Sequence, residues 1–128
     1  MKIIKIPELA ERKKLTAGRP SALGDPQFVQ DILTREDKAE DINGLFISYP
    51  PQTEGIYHYH KKCESLMLVI SGKGFELVEG KEFPLEPGDV VYIPAGEKHA
   101  VVNRSDAEFR FLEFHTTPPV SADKFRVE

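Results

Sequence analysis

Cysteine is almost missing from this chain: Cys63 is the single thiol in 128 residues. One thiol cannot close an internal disulfide, so a reducing, cytoplasmic setting is expected. Long apolar runs are missing too. The opening Met1-Lys2-Ile3-Ile4-Lys5-Ile6-Pro7 lacks the extended apolar core and small-residue cleavage site of a secretory signal, and no membrane partner is expected. Nor is there an excess of positive charge. Lys and Arg number 17 against 21 Asp and Glu, a net charge of −4, which argues against nucleic acid as the main partner. There is no low-complexity tract, and 40% apolar with 30% charged residues is the composition of a folded domain. The length suits one core.

Helical periodicity is likewise wanting beyond residue 27. Short apolar segments recur instead: Phe28–Thr34, Gly44–Tyr49, Ile56–His60, Ser65–Ile70, Phe75–Glu79, Glu82–Leu85, Val90–Ile93, Lys98–Asn103 and Glu108–Thr116. Between them lie Pro50-Pro51, Ser71-Gly72-Lys73-Gly74, Gly80-Lys81, Glu86-Pro87-Gly88-Asp89 and Pro94-Ala95-Gly96. Closely spaced strands with Gly/Pro turns predict an all-β sandwich or barrel over residues 27–128. Residues 1–26 read as an N-terminal arm. It has a strand-like run at Lys2–Ile6, a charged stretch at Glu8–Lys14 able to make a turn or two of helix, and loop signals at Gly18-Arg19-Pro20-Ser21 and Gly24-Asp25-Pro26.

Strand alternation puts Ile56, His58 and His60 on one face and Tyr57 and Tyr59 on the other. His99, Val101 and Asn103 share a face in the same way. Two imidazoles at i and i+2 can reach one ion, and divalent transition metals accept imidazole nitrogen readily. His99 is the natural third imidazole, and Glu64, four residues after His60, is a candidate carboxylate. The runs Leu66–Ile70 and Val90–Ile93 are apolar on both faces, which predicts cover on both sides of those strands. That cover would be the arm, a second sheet or a second subunit, and a homodimer is expected.

The segment from Gly88 to Asn103 holds Gly, five residues, Pro94-Ala95-Gly96, two residues, His99, three residues and Asn103. This resembles the second motif of the cupin superfamily at every fixed position. Gln52 to Gly72 resembles the first motif, with His58-Tyr59-His60, an acidic residue soon after and the closing Gly72. The motifs together cover residues 52–103. The resemblance implies a cupin-type double-stranded β-helix, a jelly-roll barrel following the arm. It also implies one divalent transition metal (Mn, Fe, Ni, Zn or Co) on His58, His60, Glu64 and His99. This chain departs from the pattern twice. The glycine usual five residues before the first histidine is replaced by Gln52, with Gly55 available to make the turn. Counting forward from His60 places the acidic ligand on Glu64, whereas counting back from Gly72 places that slot on Ser65. A one-residue difference reverses the face of a strand residue. Glu64 is preferred because a carboxylate beside an HxH pair otherwise lacks a purpose. The alternative, three histidines near Ser65, resembles the iron site of thiol dioxygenases in the same superfamily.

Other residues have plainer readings. A lone HxH is more often incidental than ligating, and only the second motif lifts it above that. Gly88, Pro94 and Gly96 are turn residues. Asn103 is expected to bond backbone or close a strand end, Cys63 to be a small buried or edge residue, and Tyr57 and Tyr59 to pack. In Phe109–His115 the apolar alternation changes phase between Phe111 and Leu112, so the face of His115 stays open and a surface or loop-proximal place is favoured. No residue is assigned a catalytic role. The expected function is that of a metalloenzyme acting on a small organic molecule bound in the barrel, of dioxygenase, decarboxylase or isomerase type. The alternatives are a non-catalytic metal-dependent binding or sensing module and, less well supported by the ligand set, a structural cupin. Fold alone does not choose among them.

Overall fold

A computed structural model of the chain describes residues 1–10, 19–20, 25–116 and 119–128. Its elements in chain order are helix α1 (Ile6–Ala10) and twelve strands. These are β1 (Arg19–Pro20), β2 (Phe28–Leu33), β3 (Ile42–Tyr49), β4 (Thr53–Glu54), β5 (His58–Tyr59), β6 (Ser65–Ser71), β7 (Gly74–Val78), β8 (Lys81–Leu85), β9 (Val90–Ile93), β10 (His99–Asn103), β11 (Phe109–Thr116) and β12 (Phe125–Arg126). One sheet runs β1-β2-β3-β11-β6-β9. The other runs β12-β5-β10-β7-β8, with β4 also paired to β10. Every pairing is antiparallel. The expected double-stranded β-helix is therefore present, with each sheet burying one face against the other.

The turns explain the strand ends. Val78 pairs with Lys81 across Glu79-Gly80. Both turn residues have positive φ, 46° and 83°, as a two-residue hairpin loop that follows sheet twist requires. Gly88 N–H donates to the Val69 carbonyl at 2.9 Å and Val69 N–H to the Asp89 carbonyl at 2.9 Å, which ties this turn to β6. The glycine missing from the first motif is replaced in an unexpected way. Gln52 itself takes the left-handed conformation, φ 57°. Its amide fixes the turn by donating to the carbonyls of Arg104 at 2.7 Å and Ser105 at 3.1 Å. Gly55, the anticipated substitute, serves otherwise: a Cβ there would stand 2.6 Å from the Tyr49 hydroxyl.

Two apolar clusters sit on opposite faces of the larger sheet. Val29, Leu45, Ile47, Tyr49, Met67, Val69, Phe109 and Phe111 fill the space between the sheets, with Val101 and Leu85 from the smaller one. On the outer face, Leu9 of α1 joins Ile32, Phe46 and Leu112, with Ile4, Ile6, Leu68, Ile70 and Phe114 against them. The N-terminal segment thus covers part of the larger sheet with a single helical turn. Residues 2–5 form no strand, and Ile6 opens the helix instead. Residues 11–18 and 21–24 lie outside the described residues. Cover on both sides holds for β6 only in part, because Leu66 stays 45% exposed. For β9 it fails in the single chain: Val90 and Tyr92 are 61% and 55% exposed, since β9 is the sheet edge beyond the reach of α1.

Gly72 connects β6 to β7 with φ +79°, and a Cβ there would lie 2.3 Å from the Glu108 carbonyl oxygen. Both the dihedral and the clash with backbone oppose any side chain. Gly72→Ala is expected to cost about 2 kcal/mol or more, read as a shift of the urea midpoint at unchanged slope. A shift under roughly 0.5 kcal/mol would mean that the β6–β7 connection relaxes freely.

Candidate metal centre

Three imidazoles converge inside the barrel. His58 and His99 are register partners on β5 and β10. His60 follows two residues on, and its carbonyl accepts the Gly96 N–H at 2.6 Å, so the Pro94-Ala95-Gly96 turn holds the two halves of the site together. One nitrogen from each of the three rings lies within 4.8 Å of the other two. This is the only cluster of ligand atoms of that kind found among the described residues.

Each ring is oriented by the chain. His58 Nδ1 meets the Ile56 carbonyl at 2.6 Å, His60 Nδ1 the Asp123 carbonyl at 2.6 Å, and His99 Nδ1 the Glu97 carbonyl at 2.9 Å. A carbonyl only accepts, so each Nδ1 carries the proton and each Nε2 keeps its lone pair. His60 Nε2 is buried with no hydrogen-bond partner. Burial lowers the pKa of all three, that of His58 to about 3 with further repulsion from His99. Neutral rings with free, converging Nε2 atoms are the donor set that a divalent transition metal takes, and Nδ1 bonds of this type fix such ligands in place. The residues present therefore fit the ion that the sequence motifs imply.

Asp123 braces the first motif from a distance. Its carboxylate accepts N–H bonds from Lys61, Lys62 and Cys63 at 2.9, 2.8 and 2.8 Å. Burial would raise this carboxyl, and the three donors outweigh it, bringing the pKa down to about 2. Next to it the Cys63 thiol is buried and pushed up to about 12, first by desolvation and then by Asp123, which makes it a poor nucleophile at neutral pH. Tyr59 stacks on Phe125 at 5.6 Å, the packing role anticipated for it. Asn103 closes the end of β10 by donating to the carbonyls of Tyr49, Pro50 and Ala107 at 3.1, 3.0 and 2.9 Å.

The structure does not bring Glu64 to the histidines. Its side chain is exposed and its carboxylate accepts the Tyr92 hydroxyl on the outside of the barrel. Ser65 is buried and lines the cavity with the histidines. The backward count from Gly72 gives the right face and the forward count the wrong one, because β6 begins at Ser65 and alternates from there. His115 also departs from expectation. It is buried against the site, its ring 5.8 Å from that of His60. On β11, Phe109, Phe111, Glu113 and His115 all face inward, and the apparent phase change is Glu113 taking a place where an apolar residue was sought. His115 Nε2 and Glu113 Oε1 are 3.0 Å apart. Burial raises the Glu113 carboxyl, but the His115 ring outweighs it and holds the group well below the usual carboxylate range.

These residues line a cavity of about 250 Å³ between the sheets. Its walls include Leu45, Ile47, Tyr49, Met67, Val101 and Phe111, with Asp31, Glu76, Glu113 and Lys124 as carboxyl and amine members. Lys124 is paired to Asp25 at 2.7 Å. A mostly apolar cavity with a few converging polar groups is what a small-molecule site requires.

The family model described as a cupin domain matches residues 45–115, more than half of the chain. The chain belongs to the cupin family. Among curated relatives it is 33% identical over 96 residues to a glucose-6-phosphate isomerase of Pyrococcus abyssi, an alignment covering 65% of this chain and 51% of that protein. The chain spans about half the length of the curated relatives it matches. A crystal structure of a sugar phosphate isomerase from Silicibacter pomeroyi superposes with a TM-score of 0.64 at 25% identity, covering 79% of this chain and 68% of that one. The polyketide cyclase RemF of Streptomyces resistomycificus superposes with a TM-score of 0.73 at 21% identity, covering 92% and 85%, a likeness of fold. Among the described residues, no helix is long and apolar enough to cross a membrane.

The depressed histidine pKa values set a pH dependence for the metal-free protein. Below pH 6.5 the unfolded chain binds protons at His58, His60 and His99 that the folded chain refuses, so stability falls as the pH drops from about 6.5 towards 3. Glu76, whose carboxyl burial raises above 4.5, acts in the opposite sense above pH 4.5, one proton against three. Chelator-treated protein is therefore expected to melt at a lower temperature at pH 5 than at pH 7.5. A flat profile would mean that the rings take up protons without unfolding.

Proposed function

We propose that this cupin is a metal-dependent enzyme acting on a small oxygen-rich organic molecule, of the isomerase type among the three expected from sequence. His58, His60 and His99 hold one divalent transition metal, and Glu64 is not among its ligands. The observation that carries the reading is the set of three Nε2 lone pairs turned into the cavity beside the Glu113–His115 pair. Such an ion, when bound, polarises a carbonyl or hydroxyl oxygen. Glu113, a carboxylate fixed by His115, would take a proton from the hydroxyl-bearing carbon next to a carbonyl and return it to the carbonyl carbon, while the hydroxyl proton passes to the former carbonyl oxygen, so that no atom is gained or lost. Relatives 31–34% identical carry the name glucose-6-phosphate isomerase, which favours isomerisation over decarboxylation or oxygenation.

Purified protein reconstituted with Mn, Fe, Co, Ni or Zn is expected to retain about one equivalent. His58→Ala and His99→Ala should abolish retention, while Glu64→Gln keeps wild-type affinity. In deuterated water, metal-loaded protein should exchange the proton on the carbon next to the carbonyl of an aldose, ketose or sugar phosphate, and Glu113→Gln should lose that exchange at least about 100-fold. Retained metal with no exchange on any three- to six-carbon sugar or sugar phosphate would overturn the isomerase reading. It would favour a binding module, the role in the name of an oxalate-binding protein of Thermotoga maritima, 29% identical over 63 residues.

We further propose that the chain is a homodimer joined through the outer face of β6 and β9. Leu66 faces Tyr92 and Leu68 faces Val90 in register, and the exposed members form one apolar strip along a sheet edge. Monomers seldom leave such a strip in water, and an open edge invites pairing. Light scattering at micromolar concentration should give twice the chain mass, and Val90→Lys with Tyr92→Lys should halve it. A monomer mass for the wild type would place the strip elsewhere in the protein's work.

A further inference from the structure

Glu76 has no evident structural task. It lies in the middle of β7, opposite Val101 in the register of β10, two residues along that strand from His99. That offset sets it about 7 Å along the barrel from the histidine layer. It is only 2% exposed and lines the same cavity as the three histidines. No hydrogen bond or ion pair to it is found among the described residues, and its Oε2 is buried without a partner. Besides the histidines, the other charged groups lining the cavity are Asp31, Glu113 and Lys124. Lys124 is paired to Asp25 at 2.7 Å, and Asp31 and Glu113 have the same sign as an ionised Glu76, so none of them is its counter-ion.

An unpartnered carboxyl in an apolar wall destabilises a fold by roughly 1–3 kcal/mol even when neutral. A leucine or methionine at this place in the largely apolar lining would avoid that penalty. Local rules are broken at places that bind or react, and here the broken rule faces the cavity.

We propose that Glu76 is a ligand-binding residue, donating a hydrogen bond from its carboxyl to an oxygen atom at the end of the bound molecule away from the histidines. This rests on the reading of the cavity as a small-molecule site with its metal on His58, His60 and His99. The two carboxyls then divide the work. Desolvation and the nearby Glu113 raise the Glu76 pKa well above its ordinary value, so that it keeps its proton and can donate. Glu113 is held ionised by His115 and accepts. Paired groups pushed apart in this way are how one cavity carries both an acid and a base. The substrate class this selects has a second oxygen, hydroxyl or carboxylate, several bonds from the oxygens that face the histidines. A polyhydroxylated chain of four to six carbons answers to that, and a two-carbon acid does not.

Three variants test this in zinc-loaded protein: Glu76→Gln, which still donates, Glu76→Leu, which cannot, and His58→Ala as the metal control. Zinc retention should be unchanged in both Glu76 variants. The probes are erythronate, threonate, gluconate and the matching alditols, titrated calorimetrically. Glu76→Leu should weaken the best-bound probe by about 10-fold or more, Glu76→Gln by no more than about 3-fold, and Glu76→Leu should raise the melting temperature of the unliganded protein. Carboxyl ¹³C NMR, with the Glu76 resonance assigned by its loss in Glu76→Gln, should show a protonated group at pH 7. Equal probe affinity in Glu76→Leu, or an ionised Glu76 at pH 7, would overturn the proposal. If zinc is held and no probe binds the wild type, the small-molecule reading of the cavity fails instead, and the NMR measurement still decides the state of Glu76.

Discussion

Three main-chain carbonyls determine what the centre of this barrel can do. Those of Ile56, Glu97 and Asp123 each accept an Nδ1 proton, and so each histidine presents a bare Nε2 to the same small volume. Without these bonds the rings could rotate, exchange tautomers or bond one another, and the cluster would be three buried polar groups rather than a donor set. The carbonyls come from three separate places in the chain. The site is thus an outcome of the whole β-sandwich, and the turns at Gly72, Gly96 and Asp123 belong to it as much as the histidines do.

The same accounting explains the mixed character of the cavity. Apolar residues from both sheets provide its walls and most of its stability, and the polar members enter from several strands: His99 on β10, Glu76 on β7, Glu113 and His115 on β11, Ser65 on β6. Alternation lets each strand contribute to both the core and the site, because successive inward positions lie in successive layers of the barrel. Phe109 and Phe111 fill one end of the space, and Glu113 and His115, on the same face of the same strand, build the other.

The sequence carried the architecture well. Val90–Ile93 has the bounds read from its turns, and the remaining long strands differ by a residue or two. HxH on one strand face and Pro-x-Gly-x-x-His on another were enough to bring His58, His60 and His99 together, since each pattern has a fixed geometry. What stayed illegible depended on distant parts of the chain. Asp123 lies some 60 positions from the N–H groups it holds, and no local signal marks it. Glu113 disguised the inward face of β11, because a charged residue at an inward position looks like the end of a pattern. The choice between Glu64 and Ser65 turned on where β6 begins, a boundary that local propensity does not define. Gln52 shows the limit of reading a motif letter by letter: the left-handed turn survives the loss of its glycine because a side-chain amide replaces the missing conformational freedom with two hydrogen bonds.

The brace at Asp123 also orders events in time. His58 and His60 leave the ribosome well before the carbonyl that fixes the His60 ring, 63 residues downstream, and before His99. A nascent chain therefore displays an HxH pair with mobile rings and two of the final nitrogen donors, a weak and unselective ligand. If the three histidines hold a metal as proposed, tight capture would need β10 and β12 paired with β5, and pairings between such distant segments are the kind that slow folding. On the proposed reading, the metal would be chosen by a finished barrel sampling whatever ions surround it, rather than by a chain folding around the first ion it meets.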